Sequence, residues 1–346
     1  METGKLRLFI SMNRREFLRN ISAAGFTFAL SPPLLKAAPD KIGSVLPKRA
    51  LGKTGEAVTI LGLGGFHIGW TTEELAQATI EAALEAGVRF FDTAESYGPG
   101  TSEERYGTYL TPKYRDEIFL MTKSAGETAA LAQAQLEDSL RRLKTDRIDL
   151  WQIHALQSPE DVEKRLAAGV LDMALKAREK GLIRHLGFTG HSSPYAHLRM
   201  MELAGDTFAA CQFPVNPVDA VSQHSFINLV IPEAEKAGYG MLAMKTLADG
   251  RFFSEKQVNT KVTWITQDPI IPNHLSLEDC VYFALSQPVT VLITGAEKPE
   301  YLKDKVALIE SFQRLTPEDL TRLMNRLRSF AEAGHIEYYK SRDLAG

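Results

Sequence analysis

The sequence predicts an α/β protein folded as a (β/α)8 barrel, also called a TIM barrel. Strand-like and helix-like segments alternate along most of the 346 residues. The strand-like segments are nearly continuous apolar runs, as parallel strands covered on both faces require. The second, third and fourth of them end near residues 92, 123 and 154, a spacing of about 31 residues that matches one βα unit. Eight such units close a barrel of about 250 residues.

Eight segments fit the barrel strands. In chain order they are residues 58–66, 89–94, 117–124, 148–155, 185–191, 209–216, 240–246 and 289–296. An open doubly wound sheet is the alternative, and its first strand would be followed by a G-x-G-x-x-G turn. Here that turn reads GLGGFHIG, with His67 at the third glycine position. The missing glycine favours the barrel.

Amphipathic helices separate the predicted strands. Apolar residues recur at helical spacing in 73–86, 127–143 and 161–180. Gly87 and Gly181 follow the first and the last of these segments, where a glycine commonly ends a helix. These segments are therefore expected to cover the outside of the barrel.

Two segments near the C-terminus depart from the βα period. Residues 249–275 are too long for one connection and are predicted to be a loop insertion near the barrel mouth. A last helix, residues 316–333, is expected to pack outside the barrel as an extra C-terminal element.

Composition excludes several classes of protein. A formal net charge of −3 and the lack of a basic stripe argue against binding to nucleic acid. Cys211 and Cys280 lie in apolar segments and are predicted to be buried free thiols. Because no cysteine or histidine cluster has metal-ligand spacing, no metal site is predicted.

The first 38 residues resemble a twin-arginine export signal, in which Arg14 and Arg15 precede an apolar run of about 15 residues. A stable membrane span needs about 20 apolar residues, so none is expected. The interpretation predicts the twin-arginine export machinery as a partner and a periplasmic location. If the segment is instead an ordinary helix, the protein is cytoplasmic. Residues 39–48 are then a linker and residues 49–346 a single domain.

Four polar residues fall where chemistry occurs in such barrels, at the carboxyl ends of the strands. Asp92, Lys123 and His154 end three successive strands, and Tyr97 lies on the loop after the first of them. Each alone has a structural explanation, such as a turn cap or a core histidine. Together, a lysine held by the aspartate would lower the pKa of the tyrosine and make it a general acid, while the histidine orients a carbonyl oxygen.

Four sequence stretches resemble the aldo-keto reductase family. They are RALGKTGEAVTILGLGGF (49–66), DTAESYGPGTSEERYG (92–107), LMTKS (120–124) and DLWQIHA (149–155). The resemblance implies an N-terminal β-hairpin that closes the bottom of the barrel. It also implies NAD(P)H-dependent reduction of an aldehyde or ketone, reversible in principle. Tyr97 is then the general acid, tuned by Lys123, with Asp92 as the partner of the lysine and His154 placing the carbonyl.

The resemblance also implies a cofactor site. Thr189 stands for the serine of the family's Ser-Asn pair, and Gly190 replaces the asparagine. His191 either compensates for the lost asparagine or is only a loop residue. Glu297 stands where the family often has arginine and would repel a 2′-phosphate, while the neighbouring Lys298 is expected to replace the lost charge. NADP is therefore expected as the cofactor, with NAD as the alternative. The predicted cofactor-binding residues are Gly65, Thr189, His191, Gln212, Lys245, Thr246, Gly295 and Lys298.

The predicted substrate is a small carbonyl compound. Aromatic residues on the mouth loops are expected to line its pocket, namely Phe66, Trp70, Phe213 and, as a lid from the insertion, Trp264. One other class of function is a cofactor-binding regulatory or partner subunit with little turnover. A barrel hydrolase or lyase is a weaker alternative, since it would need paired carboxylates or a metal at the mouth.

Overall fold

Eight parallel strands close into a barrel in the computed structural model, as the sequence predicts. The strands follow the order β12-β3-β4-β5-β6-β7-β8-β9 around the barrel. Their bounds are β3 (Leu61–Gly64), β4 (Phe90–Asp92), β5 (Phe119–Ser124), β6 (Ile148–Ile153), β7 (Ile183–Thr189), β8 (Ala210–Pro214), β9 (Gly240–Met244) and β12 (Val291–Gly295). Each coincides with one of the eight predicted segments. The first predicted segment also contains residues 58 and 59, which belong to a hairpin strand, and one residue separates that strand from β3.

The structure describes residues 31–250, 252–253, 255–257, 263–265, 275–332, 337, 339–341 and 344. For residues 249, 255–257, 263–265 and 331–332 it describes the backbone alone. The predicted signal residues Arg14 and Arg15 lie outside the described residues.

Helices cover the outside of the barrel. They are α1 (Gly65–Trp70), α2 (Glu73–Glu85), α3 (Thr101–Tyr109), α4 (Thr111–Tyr114), α5 (Ala129–Arg142), α6 (Pro159–Ala167), α7 (Val170–Glu179), α8 (Pro194–Ala204), α9 (Phe226–Ala237), α10 (Leu277–Ser286), α11 (Pro299–Glu310) and α12 (Pro317–Glu332). One predicted helix, 161–180, is two helices. Gly169 separates them with a left-handed backbone, φ 78°, that a continuous helix excludes.

A hairpin closes the bottom of the barrel. Its strands β1 (Lys48–Ala50) and β2 (Ala57–Thr59) pair antiparallel. Leu51 and Val58 point into the barrel interior, where they join the buried side chains of Phe90 and Met121. The Arg49 guanidinium is buried and donates hydrogen bonds to the carbonyl of Val289, before β12, at 2.6 Å and to that of Leu285, at the end of α10, at 2.9 Å. The expected hairpin is therefore present, and its arginine fastens it to the barrel.

The stretch before the hairpin lies against the same end of the molecule. The Ser31 hydroxyl donates to the carbonyl of Ser286 at 2.7 Å. Asp40 accepts two hydrogen bonds from Arg89, at 2.6 and 2.9 Å. Residues 31–48, which include the predicted linker, thus contact the barrel at several points.

The insertion between β9 and α10 contains two short antiparallel strands, β10 (Glu255–Gln257) and β11 (Thr263–Ile265). Cys211 and Cys280 are buried free thiols, as predicted. Within the described part of the chain, no helix is both long and apolar enough to cross a membrane.

Candidate active site

The barrel brings the four predicted catalytic residues together. Asp92 ends β4, Lys123 is the next-to-last residue of β5, and His154 directly follows β6. Tyr97 lies on the loop between β4 and α3. Because neighbouring parallel strands end at the same rim, all four residues line one cavity of about 670 Å³ at the carboxyl ends of the strands.

Lys123 is the centre of this group. Its buried ammonium forms an ion pair with Asp92 and donates to the carbonyl of Thr93 at 2.8 Å. The same nitrogen lies 3.0 Å from the hydroxyl oxygen of Tyr97 and 4.5 Å from the centre of its ring. The lysine therefore connects the carboxylate of one strand end to the tyrosine hydroxyl.

The charges of this group follow from burial and from the short distances. Burial alone would lower the pKa of Lys123, but Asp92 and Tyr97 outweigh it and the pKa is raised, so the lysine is an ammonium. Burial raises the pKa of Tyr97, and the charge of Lys123 opposes this without reversing it. The sequence led us to expect a lowered pKa, because it shows the neighbouring lysine and not the burial of the hydroxyl. Tyr97 is therefore a phenol, a proton donor, at neutral pH.

The ring of His154 lies edge-on to the ring of Tyr97 at the cavity, with 5.9 Å between the ring centres. Burial lowers the pKa of His154 well below its usual value, and Lys123 contributes in the same direction. The imidazole is therefore neutral at neutral pH. Its Nδ1 atom lies 4.0 Å from Glu95 Oε2, beyond hydrogen-bond distance. A neutral ring at this place can hydrogen-bond a carbonyl oxygen without adding a second positive charge.

Two glycines hold the Tyr97 loop against helix α1. Gly98 has a left-handed backbone, φ 60°, and a Cβ atom there would collide with the carbonyl of Gly69. A Cβ atom on Gly69 would lie 2.8 Å from the carbonyl oxygen of Tyr97. Both positions therefore need glycine, and the tyrosine backbone is fixed by direct contact with α1.

Six of the predicted cofactor-binding residues line the same cavity. They are Thr189, His191, Gln212, Lys245, Thr246 and Gly295. Among the described residues, the buried Gln212 Oε1 and Thr246 Oγ1 atoms have no hydrogen-bond partner. Buried polar atoms of this kind, an amide oxygen that accepts and a hydroxyl that can also donate, normally have a hydrogen-bond partner. Their position on the cavity wall fits a ligand that offers amide, hydroxyl or phosphate groups, as a nicotinamide dinucleotide does.

Gly65 and Lys298 lie outside the cavity wall, in contrast to the prediction. Gly65 is buried at the start of α1, where a Cβ atom would lie 2.5 Å from the carbonyl oxygen of Asp92. Its role is close packing of α1 on β4. The Lys298 ammonium lies 4.6 Å above the ring of Tyr301, which does line the cavity.

Only one of the four predicted substrate-pocket residues lines the cavity that the described residues enclose. Phe66 does so, with its ring edge-on to Tyr97 at 5.5 Å. Trp70, at the end of α1, is 38% exposed outside the cavity. Phe213 is fully buried in the outer core, stacked on Phe226, because its side chain points away from the barrel axis. Trp264 lies on β11, and its side chain is outside the described residues.

Asp304 and Lys305 of the cavity wall were absent from the predicted set, and His67 and Glu297 lie on the same wall. Lys305 of α11 donates to the carbonyl of Gly295 at 2.6 Å, and burial lowers its pKa to about 8. His67 packs on Gly295, and its Nε2 atom lies 3.1 Å from Glu297 Oε1. Lys305 follows Lys298 by about two helical turns, so helical periodicity from Pro299 was the signal that could have indicated it.

The geometry does not favour a hydrolase or a lyase. Glu95, the second carboxylate near Asp92, accepts hydrogen bonds from the backbone N–H groups of Ser96 and Ala125 at 2.6 and 3.0 Å. Asp92 forms an ion pair with Lys123 and is therefore not paired with Glu95. The described residues contain no group of three histidines, cysteines or carboxylates arranged to hold a metal ion.

Known proteins are similar to this chain in sequence and in fold. The profile of the aldo/keto reductase family matches residues 60–327. An uncharacterized oxidoreductase of Bacillus subtilis, YqkF, is 24% identical over 317 residues, which cover 83% of this chain and 99% of the relative. A 6-dehydroglucose reductase of Novosphingobium aromaticivorans is 30% identical over 233 residues, 62% of this chain and 73% of the relative.

The solved structures agree in fold. The aldo-keto reductase AKR11C1 from Bacillus halodurans superposes with a TM-score of 0.64 over 81% of this chain and 95% of its own, at 21% sequence identity. The family match spans the barrel and the whole catalytic group. The chain therefore belongs to the aldo/keto reductase family and is an NAD(P)-dependent oxidoreductase that acts on carbonyl compounds.

Proposed function

We propose that the enzyme reduces an aldehyde or ketone with NADPH, and that Tyr97 is its proton donor. The observation that carries this proposal is the position of the Lys123 ammonium, 3.0 Å from the Tyr97 hydroxyl and paired with Asp92. A proton donor that passes through an anionic state is stabilised by a fixed cation at this distance.

Each of the four catalytic residues has its own role in the reduction. NADPH, held by the wall residues, would supply the hydride for the carbonyl carbon. Tyr97 gives its proton to the carbonyl oxygen, and Lys123 stabilises the phenolate that remains. Asp92 keeps the lysine in place and balances its charge. His154, neutral and facing Tyr97, hydrogen-bonds the same carbonyl oxygen and aligns it with the hydroxyl. In the reverse direction the phenolate takes the proton of an alcohol.

The cavity wall offers groups for each part of the nucleotide. Gln212 and Thr189 line the same cavity as the catalytic group, and we propose that they hydrogen-bond the carboxamide of the nicotinamide. Lys245 and Lys305 supply positive charge for the phosphates. Glu297 would repel a 2′-phosphate. The carboxylate of Glu297 lies against His67, which gives its negative charge a partner nearby. With two lysines on the wall, one can pair with the diphosphate that both nucleotides carry and the other with the 2′-phosphate that only NADPH has, and for this reason we propose NADPH.

Direct titration tests this function. NADPH and NADH are titrated into the purified protein by calorimetry, and the NADPH-loaded enzyme is then assayed with a panel of aromatic aldehydes, ketones and keto sugars. Keto sugars enter the panel because a relative is a 6-dehydroglucose reductase. We expect tighter binding of NADPH and oxidation of the cofactor by at least one carbonyl. Binding without turnover of any compound would favour a regulatory subunit, and binding of neither nucleotide would refute the proposal.

A variant at Glu297 tests the choice of nucleotide. Glu297→Gln removes the negative charge and is expected to tighten NADPH binding about threefold to tenfold while leaving NADH binding nearly unchanged. Glu300→Gln, an exposed carboxylate in the first turn of α11, is the matched control. Equal effects on both nucleotides would place the 2′-phosphate elsewhere.

We also propose that the protein is exported to the periplasm by the twin-arginine machinery. The support is the sequence of the first 38 residues, with Arg14 and Arg15 before a short apolar run. That route carries folded proteins, which suits an enzyme that binds its cofactor before export. Replacing both arginines by lysine should retain the protein in the cytoplasm, as measured by cell fractionation. Unchanged export of this variant would contradict the proposal.

A further inference from the structure

The described residues near the C-terminus, 337 and 339–341, return to the barrel mouth, and we call them the C-terminal latch. The Lys340 side chain is fully buried there. Its ammonium lies 2.9 Å from Asp219 Oδ1 and 2.6 Å from Glu337 Oε1, and it donates to the Ser222 hydroxyl at 3.1 Å. A buried ammonium is unfavourable unless such partners surround it. The latch therefore has one well-defined position.

Asp219 is a fixed partner for this lysine. Its carboxylate accepts hydrogen bonds from the Ser225 hydroxyl at 2.9 Å and from the backbone N–H groups of Phe226 and Ile227 at 3.1 and 2.9 Å. These donors form the beginning of α9, where a negative charge is stabilised. Asp219, to which Lys340 of the latch binds, is thus held in place by the barrel itself.

The latch reaches the cofactor wall through Tyr339. The carbonyl oxygen of Tyr339 lies 3.0 Å from His191 Nδ1. The Tyr339 hydroxyl accepts from the Asn216 side-chain amide at 2.9 Å, and the same amide donates to the carbonyl of Lys245 at 3.2 Å. His191 and Lys245 both line the cavity. One residue of the latch therefore touches His191 directly and Lys245 through one intermediate.

These contacts fix chemistry as well as position. A carbonyl oxygen only accepts hydrogen bonds, so Nδ1 of His191 carries the hydrogen in this contact. Lys245 has a left-handed backbone, φ 54°, which a non-glycine residue keeps only where surrounding contacts hold it. The hydrogen bond from Asn216 to its carbonyl is such a contact.

We propose that the C-terminal latch is a positioning element for the nicotinamide cofactor. Lys340 anchors it, and it acts by holding the imidazole of His191 in the orientation and tautomer that the cofactor meets. The proposal rests on the proposed function of this cavity as the NADPH site. Lys340 itself does not line the cavity, so its effect on cofactor binding is transmitted by Tyr339 and His191.

The variant Lys340→Met tests the latch with NADPH as the probe. We expect an NADPH dissociation constant about tenfold higher by calorimetry, as the loss of one or two well-placed hydrogen bonds gives. The kcat at saturating NADPH should stay within about twofold, because Tyr97, Lys123 and Asp92 are unaffected. Lys164→Met is the matched control, since it breaks an exposed ion pair with Glu127 of the same 2.6 Å length. Unchanged affinity in Lys340→Met would overturn the proposal.

A double-mutant cycle separates positioning from general destabilisation. If the latch acts through His191, the variant Lys340→Met/His191→Ala should bind NADPH about as weakly as His191→Ala alone. Weakening by the product of the two separate factors would overturn the proposal. If Lys340→Met does not fold, Glu337→Gln takes its place in the cycle, because it keeps the Lys340–Asp219 pair and loosens the latch.

The wild-type titration distinguishes the two hypotheses. If the wild-type protein binds neither NADPH nor NADH, the proposed function is refuted. If the wild-type protein binds NADPH and the latch variants bind it equally well, only the latch is refuted.

Discussion

The ammonium nitrogen of Lys123 lies 3.0 Å from the hydroxyl oxygen of Tyr97, although 26 residues separate them in the chain. Burial keeps the tyrosine protonated, and the lysine makes the loss of that proton less unfavourable than it would be in an apolar site. The pair thus holds the proton in the resting enzyme and tolerates its departure during the reaction.

Tyr97→Phe should remove the proton donor and little else. We expect kcat for carbonyl reduction to fall about 10²- to 10⁴-fold. The dissociation constant for NADPH should change less than about threefold, because the phenyl ring keeps its contact with Phe66. Steady-state kinetics and calorimetry measure the two quantities. Turnover close to wild type would exclude Tyr97 as the general acid.

Lys123→Met should damage both stability and turnover, because it leaves the buried Asp92 without its cation. Breaking a buried pair in this way costs about 3–5 kcal/mol in free energy of unfolding. The double variant Lys123→Met/Asp92→Asn removes the second charge and should recover much of that stability while remaining inactive. Urea denaturation and an activity assay distinguish the two effects. Recovery of turnover in the double variant would show that the lysine is structural.

Gly98→Ala should misplace the catalytic tyrosine. The new methyl group meets the Gly69 carbonyl, so the Tyr97 loop must move away from α1. Gly55→Ala is the control, since Gly55 also has a positive φ, 80°, but no atom within 4 Å of a Cβ. The control should cost about 1–2 kcal/mol of stability and leave kcat intact. Gly98→Ala should cost more and lower kcat; equal behaviour of the two variants would contradict the packing argument.

His197 should make folding sensitive to acid. It is fully buried, its Nε2–H donates to the carbonyl of Gln212 at 3.1 Å, and burial lowers its pKa to about 4. Between pH 6.5 and 4 the unfolded chain binds a proton at this site that the folded chain does not. Stability is therefore lost as the pH falls through this window, by about 3 kcal/mol in total.

The variant His197→Gln isolates that effect. Its free energy of unfolding, measured by urea denaturation at pH 7 and pH 5, should decrease less on acidification than that of the wild type. Parallel pH dependence of the two proteins would show that His197 is not the group responsible.

The barrel and the catalytic group were predictable from the sequence because both depend on local patterns. Apolar runs and their spacing predict the strands, and neighbouring parallel strands necessarily end at one rim. Asp92, Lys123 and His154 each stand at such an end, so no long-range information was needed to bring them together. Tyr97 follows Asp92 closely enough to share the same rim.

The cofactor and substrate walls were less predictable because they depend on side-chain direction. Phe213 lies on β8, one residue after the wall residue Gln212, and alternation along a strand directs it to the opposite face. Lys298 and Lys305 are both near β12, yet only the second points into the cavity. The contact of Tyr339 with His191 joins residues 148 positions apart, and no periodic pattern in the sequence indicates it.

Helix α1 has a consequence for the redesign of this enzyme. One turn of it presents Phe66 to the cavity, and the next presses Gly69 against the backbone of Tyr97. Any exchange that reshapes the pocket at Phe66 and shifts the helix will also shift the proton donor. Libraries that aim at new substrates should therefore vary Phe66 with Gly69 and Gly98 kept constant, and screen for turnover rather than for binding.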